Sequence, residues 1–195
     1  MPPQRLARAQ RYLREEDRIR SLVGGLLLRL FLRVRADGDL TRDKHGKPFL
    51  KGAGPFFSLS HGGDLVALAI GPYPCGLDVE LLFREARFGL IKERTLTPAE
   101  ISAWEKQSER ESFFWRVWTR KESLLKALGT GLAIAPNTFA VLPLEAPRIL
   151  FRGEAWSLAS VTLEKHALAF CQREEIAGLA LRRVTPGDFQ RAENF

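Results

Sequence analysis

The stretch Gly76-Leu77-Asp78-Val79-Glu80 places two carboxylates on either side of a β-branched valine, shortly after an apolar run over residues 65–70. Both runs are typical of β-strands. Alternate side chains of a strand share a face, so the carboxylates of Asp78 and Glu80 lie side by side. Such a pair ionises most easily around a cation, and oxygen ligands alone favour Mg²⁺. The simpler alternative is a strand end with two solvated acids.

A second stretch, residues 113–128, has the composition of a helix and is followed by Gly129 and Gly131, which suit left-handed C-terminal positions. Trp118, Glu122 and Lys126 are spaced i, i+4, i+8 and therefore lie along one face. This face offers a third carboxylate and a lysine suited to a phosphate. The alternative is an ordinary surface Glu–Lys pair, which contributes about 0.2–0.5 kcal/mol.

Composition is that of a globular protein, with 195 residues, 45% apolar and 27% charged. A net charge of +7 favours an acidic partner: nucleic acid, an anionic membrane, a phosphate-rich small molecule or an acidic protein. Cys75 and Cys171 lack metal-ligand spacing and are expected to be reduced thiols. No targeting segment is visible, and the apolar run 22–32 is too short to cross a bilayer. We therefore expect a cytoplasmic protein.

Hydrophobic periodicity predicts a mostly helical segment over residues 5–35, whose polar face carries many arginines, some of them candidates for holding a phosphate. Thr97-Pro98-Ala99-Glu100 predicts a second helix start, with an N-cap threonine and a capping glutamate. The arginines of the first helical face are Arg5, Arg8, Arg11, Arg14, Arg18 and Arg20. The predicted strands cover residues 48–50, 56–60, 65–70, 136–147 (with turns, centred on 139–142), 156–160, 166–170 and 176–184, and the tail after Pro186 is expected to fray.

An internal echo relates residues 57–70 to residues 156–170, because each segment holds two short strands joined by a turn and follows a leucine-rich helix. Helix-then-strands twice predicts an α+β fold of two similar halves about a pseudo-twofold axis. The predicted division is an N-terminal half over 1–82, a linker over 83–96 and a C-terminal half over 97–195.

These motifs carry a family resemblance. Residues 76–80, followed after a gap by residues 118–132, resemble the signature pair of 4′-phosphopantetheinyl transferases. Gly46-Lys47-Pro48 and Phe57-Ser58-Leu59-Ser60-His61 resemble two further elements of the surfactin-synthetase-type branch. The resemblance covers roughly residues 5 to 172.

What the resemblance implies is an active site between the two halves and a Mg²⁺-dependent reaction. The phosphopantetheine group of coenzyme A moves to a serine of an apo acyl or peptidyl carrier protein, and adenosine 3′,5′-bisphosphate is released. The expected protein is a monomer that binds neither nucleic acid nor membrane.

The resemblance also implies roles for single residues. Asp78, Glu80 and Glu122 would hold Mg²⁺ against the pyrophosphate, and the base is either Glu122 or a metal-held water. Lys126 would hold a pyrophosphate oxygen. The implied coenzyme-binding residues are Arg8, Arg42, Lys47, Pro48, Ser60, His61 and Lys126. Two departures from the family pattern are Ser58, where Asn is common, and Gly62, where a serine would add a contact near the phosphate.

A basic segment, Arg84, Arg87, Lys92 and Arg94, follows the carboxylate strand and is a candidate docking surface for an acidic carrier protein, or simply a solubilising linker. Two other functions compete with the transferase. One is a non-catalytic basic module that binds nucleic acid. The other is a different magnesium-dependent nucleotide enzyme, although neither Gly-x-x-x-x-Gly-Lys-Ser/Thr nor Gly-x-Gly-x-x-Gly occurs. The identity of the carrier protein is not encoded in any of these motifs.

Overall fold

The computed structural model describes residues 3–83 and 88–192. Its first segment contains two helices, α1 (Pro3–Gln10) and α2 (Glu15–Leu32), where the sequence predicts one mostly helical segment. Glu15, Glu16 and Asp17 occupy the first turn of α2, where carboxylates interact favourably with the positive end of the helix dipole. This acidic turn marks the start of α2 after the break.

Two antiparallel hairpins follow. Strand β1 (Leu40–Arg42) pairs with β2 (Pro48–Leu50), and β3 (Phe56–Gly62) pairs with β4 (Leu65–Gly71). The predicted strands over 48–50, 56–60 and 65–70 are confirmed. Strand β4 is half-buried for most of its length, where its apolar composition predicts full burial. Its outer residue Ile70 is 41% exposed.

The chain then forms β5 (Cys75–Leu81) and three helices, α3 (Phe88–Thr95), α4 (Pro98–Glu105) and α5 (Arg110–Leu128). The predicted cap is present, because the Thr97 hydroxyl accepts from the backbone N–H of Glu100 and the Glu100 carboxylate accepts from that of Thr97. Helix α5 ends at Gly129, whose φ of +70° is the left-handed conformation that glycine adopts without strain.

The last strands are β6 (Arg148–Phe151), β7 (Glu154–Leu163) and β8 (His166–Gln172), and α6 (Pro186–Ala192) follows. These three strands and β5 form a four-stranded antiparallel sheet in the order β5-β8-β7-β6. Helix α5 packs across β5 and β8, and the largest buried cluster lies along this helix, with Phe114, Val117, Leu124 and Leu125 at its centre. The strand that carries the two carboxylates is therefore held by both the sheet and α5.

Three secondary-structure predictions are wrong. Residues 136–147 contain a single 3-10 turn (Pro136–Thr138) and otherwise irregular backbone, because side chains of α5 bind carbonyl groups of this segment. Residues 176–184 form no strand, and most of their side chains are exposed. The tail forms α6 instead of fraying, and Asp188 accepts hydrogen bonds from Thr185 at its start.

The mixed fold of helices and antiparallel strands agrees with the predicted α+β class. The echo corresponds to the hairpins β3–β4 and β7–β8, whereas the pseudo-twofold arrangement and the division at residues 82 and 97 stay predictions. Strand β5, assigned to the first half, is paired with β8 of the second. Within the described ranges, no helix is long and apolar enough to cross a membrane.

Candidate functional site

The candidate site lies where α5 crosses β5. The two elements approach closely because Gly76 has no side chain: a Cβ at this position would collide with the carbonyl oxygen of Ser123 on α5. The close approach brings the Trp118–Glu122–Lys126 face of the helix towards Asp78 and Glu80. Sequence periodicity predicts both of these faces, and their contact is the central finding at this site.

Asp78 is bound from two directions. Its Oδ1 atom lies 2.5 Å from Nζ of Lys126 on α5 and accepts a 3.0 Å hydrogen bond from the Ser60 hydroxyl on β3. The Lys126 ammonium also donates to the Ser60 oxygen at 2.9 Å. Ser58 lies two residues earlier on β3, and its hydroxyl accepts from the backbone N–H of Leu77 on β5. Serine at position 58 therefore joins two strands, so the departure from asparagine retains a polar contact.

Glu80 contacts the same helix one turn before Glu122. The indole N–H of Trp118 donates to Oε1 of Glu80 at 3.2 Å. Glu122 is half-buried and lies between Trp118 and Lys126 on their shared face. This arrangement orients the Glu80 carboxylate towards the α5 face that carries Glu122.

Two carboxylates of this site, Asp78 and Glu122, lie where burial disfavours their charged forms. Burial raises the pKa of Asp78, and the Lys126 ion pair and the Ser60 hydrogen bond act in the opposite direction. Burial also raises the pKa of Glu122, and the nearby Asp78 charge raises it further. Asp78 Oδ2 is buried and has no hydrogen-bond donor in the described part of the chain. A buried carboxylate oxygen without a donor is costly, so this atom fits a position for a cation ligand.

The site has the oxygen donors that Mg²⁺ prefers, but they are not arranged around a common point. Within residues 3–83 and 88–192, no group of three or more His, Cys, Asp or Glu side chains is arranged to hold a metal ion. The Lys126 ammonium neutralises Asp78 Oδ1 directly. The donor chemistry nevertheless suits a hard cation, since Asp78, Glu80 and Glu122 are all oxygen donors and Asp78 Oδ2 has no proton donor. The three residues fit Mg²⁺ by chemistry, with Lys126 contacting the first of them.

A cavity of about 600 Å³ opens beside this site between the helices and the two hairpins. Its floor is apolar, with Leu28, Phe57 and Leu59, and its rim is basic and polar. The basic and polar lining comprises Arg11, Tyr12, Arg20, Ser21, Arg42 and His61, and one acidic residue, Asp37, lies among them. Such a mixture suits a ligand with one flat apolar part and several negative charges.

The predicted coenzyme-binding residues are divided among three places. Arg42, Pro48 and His61 line the cavity. Ser60 and Lys126 lie at the carboxylates. The Lys47 ammonium donates to the backbone carbonyl oxygens of Cys75 and Lys126. The Arg8 side chain lies outside the described residues.

His61 faces a basic environment. Burial lowers its pKa, and the positive charges of Arg20 and Lys126 lower it further. Its neighbour Gly62 is buried, and a Cβ there would lie 2.5 Å from the carbonyl oxygen of Val79. Glycine at position 62 thus permits the close packing of β3 against β5. The family pattern, in which a serine adds a phosphate contact, does not indicate this packing role.

The candidate docking segment is only partly described, because Arg84 and Arg87 lie outside the described residues. Lys92 and Arg94 lie on α3, and the Lys92 ammonium is 5.3 Å from the ring centre of Trp104. Docking by this segment therefore stays a prediction.

The structure adds residues that the motifs do not identify individually. Arg11 and Arg20 belong to the arginine-rich face noted in the sequence, yet that pattern does not separate them from Arg14 or Arg18. Arg20 donates from Nε to the Gly63 carbonyl oxygen at 2.6 Å and pairs with Asp17 and Glu16. Ser21 and Tyr12 carry no motif and line the cavity through the fold alone.

Two family sequence models match the chain. The model of the 4′-phosphopantetheinyl transferase superfamily matches residues 74–171, and a model described as 4′-phosphopantetheinyl transferase, N-terminal, matches residues 1–72. The first match covers half of the chain and contains Asp78, Glu80, Glu122 and Lys126. Together the two matches extend over both hairpins and over the four-stranded sheet except its last residue, Gln172.

Individual relatives carry the same description. The 4′-phosphopantetheinyl transferase gsp of Aneurinibacillus migulanus is 30% identical over 158 residues, covering 73% of this chain and 62% of that protein. Sfp of Bacillus subtilis strain 168 is 27% identical, covering 71% and 65%. HetI of Nostoc is 29% identical over 180 residues, covering 84% and 74%. The chain thus spans about three fifths of the length of the first of these relatives.

Among solved structures, the holo-[acyl-carrier-protein] synthase of Thermotoga maritima matches 51% of this chain and 61% of its own length, with 19% identity and a TM-score of 0.37.

Proposed function

Because the chain belongs to the 4′-phosphopantetheinyl transferase superfamily, we propose that it transfers 4′-phosphopantetheine from coenzyme A to a serine of an apo acyl or peptidyl carrier protein. The observation that carries the proposal is the meeting of β5 and α5. Asp78 lies against Lys126, Glu80 lies against Trp118, and Glu122 lies between the two helix residues. Carboxylates that could hold a cation, together with a lysine, suit the stabilisation of charge on a pyrophosphate.

The nucleotide end of coenzyme A is assigned to the cavity of about 600 Å³. Its apolar floor offers a surface for the adenine, and Arg42 and His61 on the rim are the proposed partners of the 3′-phosphate. Arg8 is proposed by resemblance for the same group. The pyrophosphate then extends from the cavity towards Ser60 and Lys126, which adjoin it through β3.

In the proposed reaction the serine oxygen of the carrier attacks the phosphorus that bears pantetheine. A bond forms between this oxygen and phosphorus, and the bond from phosphorus to the adenosine bisphosphate oxygen breaks. The serine proton passes to Glu122, whose pKa is raised by burial and by the Asp78 charge, and a raised pKa favours proton uptake by a carboxylate. Lys126 holds a pyrophosphate oxygen. Mg²⁺, held by Asp78, Glu80 and Glu122, would neutralise charge on the pyrophosphate.

We assign the pantetheine arm to a second cavity of about 290 Å³. Thr119, three residues before Glu122, lines it, and so does Ala167, the β8 partner of Glu80. The remaining lining comes largely from β7 and from the segment that holds Leu144 and Glu145. The lining by Thr119 and Ala167 supports this assignment, because both residues are close to the carboxylates in the strand register and along α5.

The test is incubation with coenzyme A, Mg²⁺ and several apo carrier proteins, followed by intact-mass measurement. We expect a mass increase equal to one phosphopantetheine on at least one carrier and none on a carrier whose serine is replaced by alanine. Asp78→Ala should abolish the increase. Glu111→Gln, an exposed carboxylate at the start of the same helix, is the matched control and should retain it. Full transfer by Asp78→Ala at limiting Mg²⁺ would refute the assignment. A monomeric state and a cytoplasmic location are further proposals from sequence.

A further inference from the structure

Lys47 projects from a rigid loop between β1 and β2. Asp43 Oδ1 accepts the backbone N–H groups of both His45 and Lys47 at 2.9 Å, and the backbone N–H of Asp43 donates to the Lys47 carbonyl oxygen. Gly46 has a φ of +89°, which closes the loop in a conformation that suits glycine. These bonds fix the backbone from which the Lys47 side chain leaves the hairpin.

The Lys47 ammonium reaches away from its own hairpin and binds two backbone carbonyl groups. It donates to the oxygen of Cys75, at the start of β5, at 2.9 Å, and to that of Lys126, in the last turn of α5, at 2.5 Å. The last carbonyl groups of a helix lack partners within it and form the negative end of its dipole. The Lys126 carbonyl oxygen already accepts from the backbone N–H of Gly129 at 3.2 Å, so the half-buried ammonium adds a second, charged hydrogen bond and interacts favourably with the dipole.

The loop contacts the helix end at a second point. Gly129 follows the last residue of α5, and a Cβ built on it would lie 2.8 Å from Oδ2 of Asp43 and 3.8 Å from Cδ of Lys47. The hairpin loop therefore packs directly against the C-terminal cap of α5. Burial lowers the pKa of the Lys47 ammonium, which is consistent with this enclosed position.

The two carbonyl groups belong to the two elements that build the candidate site. Cys75 precedes Asp78 on β5, and Lys126 is itself the cation that contacts Asp78. We propose that Lys47 is a positioning residue that fixes the C-terminal turn of α5 against the start of β5, and so sets the distance between Lys126 and Asp78. This inference rests on the proposed function. It differs from the phosphate contact that the Gly-Lys-Pro resemblance implies for the same side chain.

The geometry separates the two roles. A lysine ammonium has three protons, and Lys47 directs two of them to carbonyl oxygens of Cys75 and Lys126. A ligand of the 3′-phosphate acts on coenzyme A and has no effect on its 3′-dephospho form. A positioning residue acts on both compounds equally, because both carry the pyrophosphate.

The experiment compares Lys47→Met and Lys47→Arg with Lys44→Met, which removes the same charge from an exposed position in the same loop. Turnover at saturating substrates, the Mg²⁺ concentration for half-maximal activity, and the affinities for coenzyme A and 3′-dephospho-coenzyme A are measured well below the melting temperature of each variant. Hydrogen–deuterium exchange of a peptide covering residues 124–131 is followed without any ligand.

For Lys47→Met we expect turnover to fall by about tenfold or more, the factor for one lost charged hydrogen bond, and the Mg²⁺ requirement to rise. The ratio of the two affinities should stay within about twofold of the wild-type ratio, a difference below the worth of one hydrogen bond. Exchange of the 124–131 peptide should accelerate. Lys47→Arg should restore most of the turnover, and Lys44→Met should behave as wild type.

The proposal would be overturned if Lys47→Met lost the preference for coenzyme A while turnover was preserved. Unchanged exchange of the 124–131 peptide in Lys47→Met would overturn it as well. A melting temperature that falls while turnover and Mg²⁺ requirement stay normal would reduce Lys47 to a structural role and would also overturn it. An inactive wild-type protein would instead refute the proposed function, and the exchange measurement would still decide whether Lys47 holds the end of α5.

Discussion

Helix α5 carries buried charges on two sides, and the two sides are balanced very differently. On one side, the Lys121 ammonium, 0% exposed, pairs with the Glu100 carboxylate at 2.6 Å and donates to the carbonyl oxygens of Pro136 and Phe139. On the other side, Asp78 pairs with Lys126, which also donates to Ser60, and one buried oxygen of Asp78 has no donor among the residues that the structure describes. The Lys121–Glu100 pair is therefore compensated, whereas the Asp78 carboxylate is compensated at one of its two oxygens.

Arg120 reinforces the compensated side. Its guanidinium donates to the carbonyl oxygens of Val141, Leu144 and Ala146 and to the Ser160 hydroxyl, at 2.8–3.0 Å. Together with Lys121 it fixes the irregular segment after α5 to the helix. The comparison teaches that burial of a charge does not by itself mark a functional site. The two sides of α5 differ in how completely the buried charges are partnered.

The largest expected effect is on the free energy of unfolding, and it should differ between two lysines of this helix. Lys121→Met leaves the Glu100 carboxylate buried without a cation and should lower the free energy of unfolding by about 3–5 kcal/mol. Lys126→Met should cost about 1.5 kcal/mol, because its side chain is 30% exposed and Asp78, with its raised pKa, can take up a proton. Urea unfolding of both variants provides the measurement.

Adding Glu100→Gln to Lys121→Met should recover part of the loss, since the uncompensated charge is then removed. Equal costs for Lys121→Met and Lys126→Met would contradict the distinction between the two sides of α5.

The second effect concerns catalysis. Glu122→Gln keeps the size of the side chain and removes its basicity, so transfer should slow by at least about 10²-fold, as is typical when a general base is removed. Coenzyme A binding and the unfolding free energy should change little. Initial rates and calorimetry measure this, with Glu111→Gln as control. If turnover at saturation persists while coenzyme A binding is lost, Glu122 binds and does not act as the base.

The third prediction concerns the cavity of about 600 Å³, which Arg42 and His61 line. Coenzyme A should bind more tightly than 3′-dephospho-coenzyme A by at least about 1.5 kcal/mol, the lower end for a charged hydrogen bond. Arg42→Met should reduce this margin and Lys44→Met should not. Equal affinities of the wild-type protein for both compounds, measured by calorimetry, would remove the basic rim from this role.

The smallest effect is the pH dependence of His61. The pKa of His61 lies below the ordinary 6.5. Burial is the main cause, and the positive charges of Arg20 and Lys126 further disfavour the charged imidazole. Between the pKa of His61 in the folded protein and 6.5, the unfolded chain binds more protons than the folded protein does. The contribution of His61 to stability is therefore present above pH 6.5 and is lost as the pH falls through this window. An NMR titration measures the pKa directly, and His61→Gln should flatten the stability profile there. A pKa at or above 6.5 in the free protein would contradict this environment.

Local sequence signals predict the elements of the site. Alternation around Asp78 and Glu80 predicts β5, helical spacing predicts the Trp118–Lys126 face, and the Thr97 cap predicts the start of α4. Each of these signals lies within about two helical turns of the residues it concerns. The family resemblance extends the prediction to the chemistry.

Long-range side-chain bonds account for what the sequence does not predict. Residues 139–142 have the composition of a strand, but Lys121 and Arg120 bind the carbonyl groups of Phe139 and Val141 that a sheet would need. Residues 176–184 pair with no strand of the described sheets, although Ile176 packs against the cluster of Cys75, Leu77 and Phe170. The carbonyl contacts of Lys47 depend on the distance between a hairpin and a helix end, which no local pattern encodes.

The pairing of β5 with β8 determines how much of the chain must be synthesised before the site can form. Asp78 lies opposite Ala169, so the ladder that holds the carboxylate strand joins positions roughly 90 residues apart. Closing so long a loop costs entropy before any contact across it is gained. A growing chain that has reached α5 already contains every proposed metal ligand, yet β5 still lacks its ladder neighbour. We therefore expect the carboxylate strand to be held in its final position only after β8 has been added, and a partly synthesised chain is not expected to transfer phosphopantetheine.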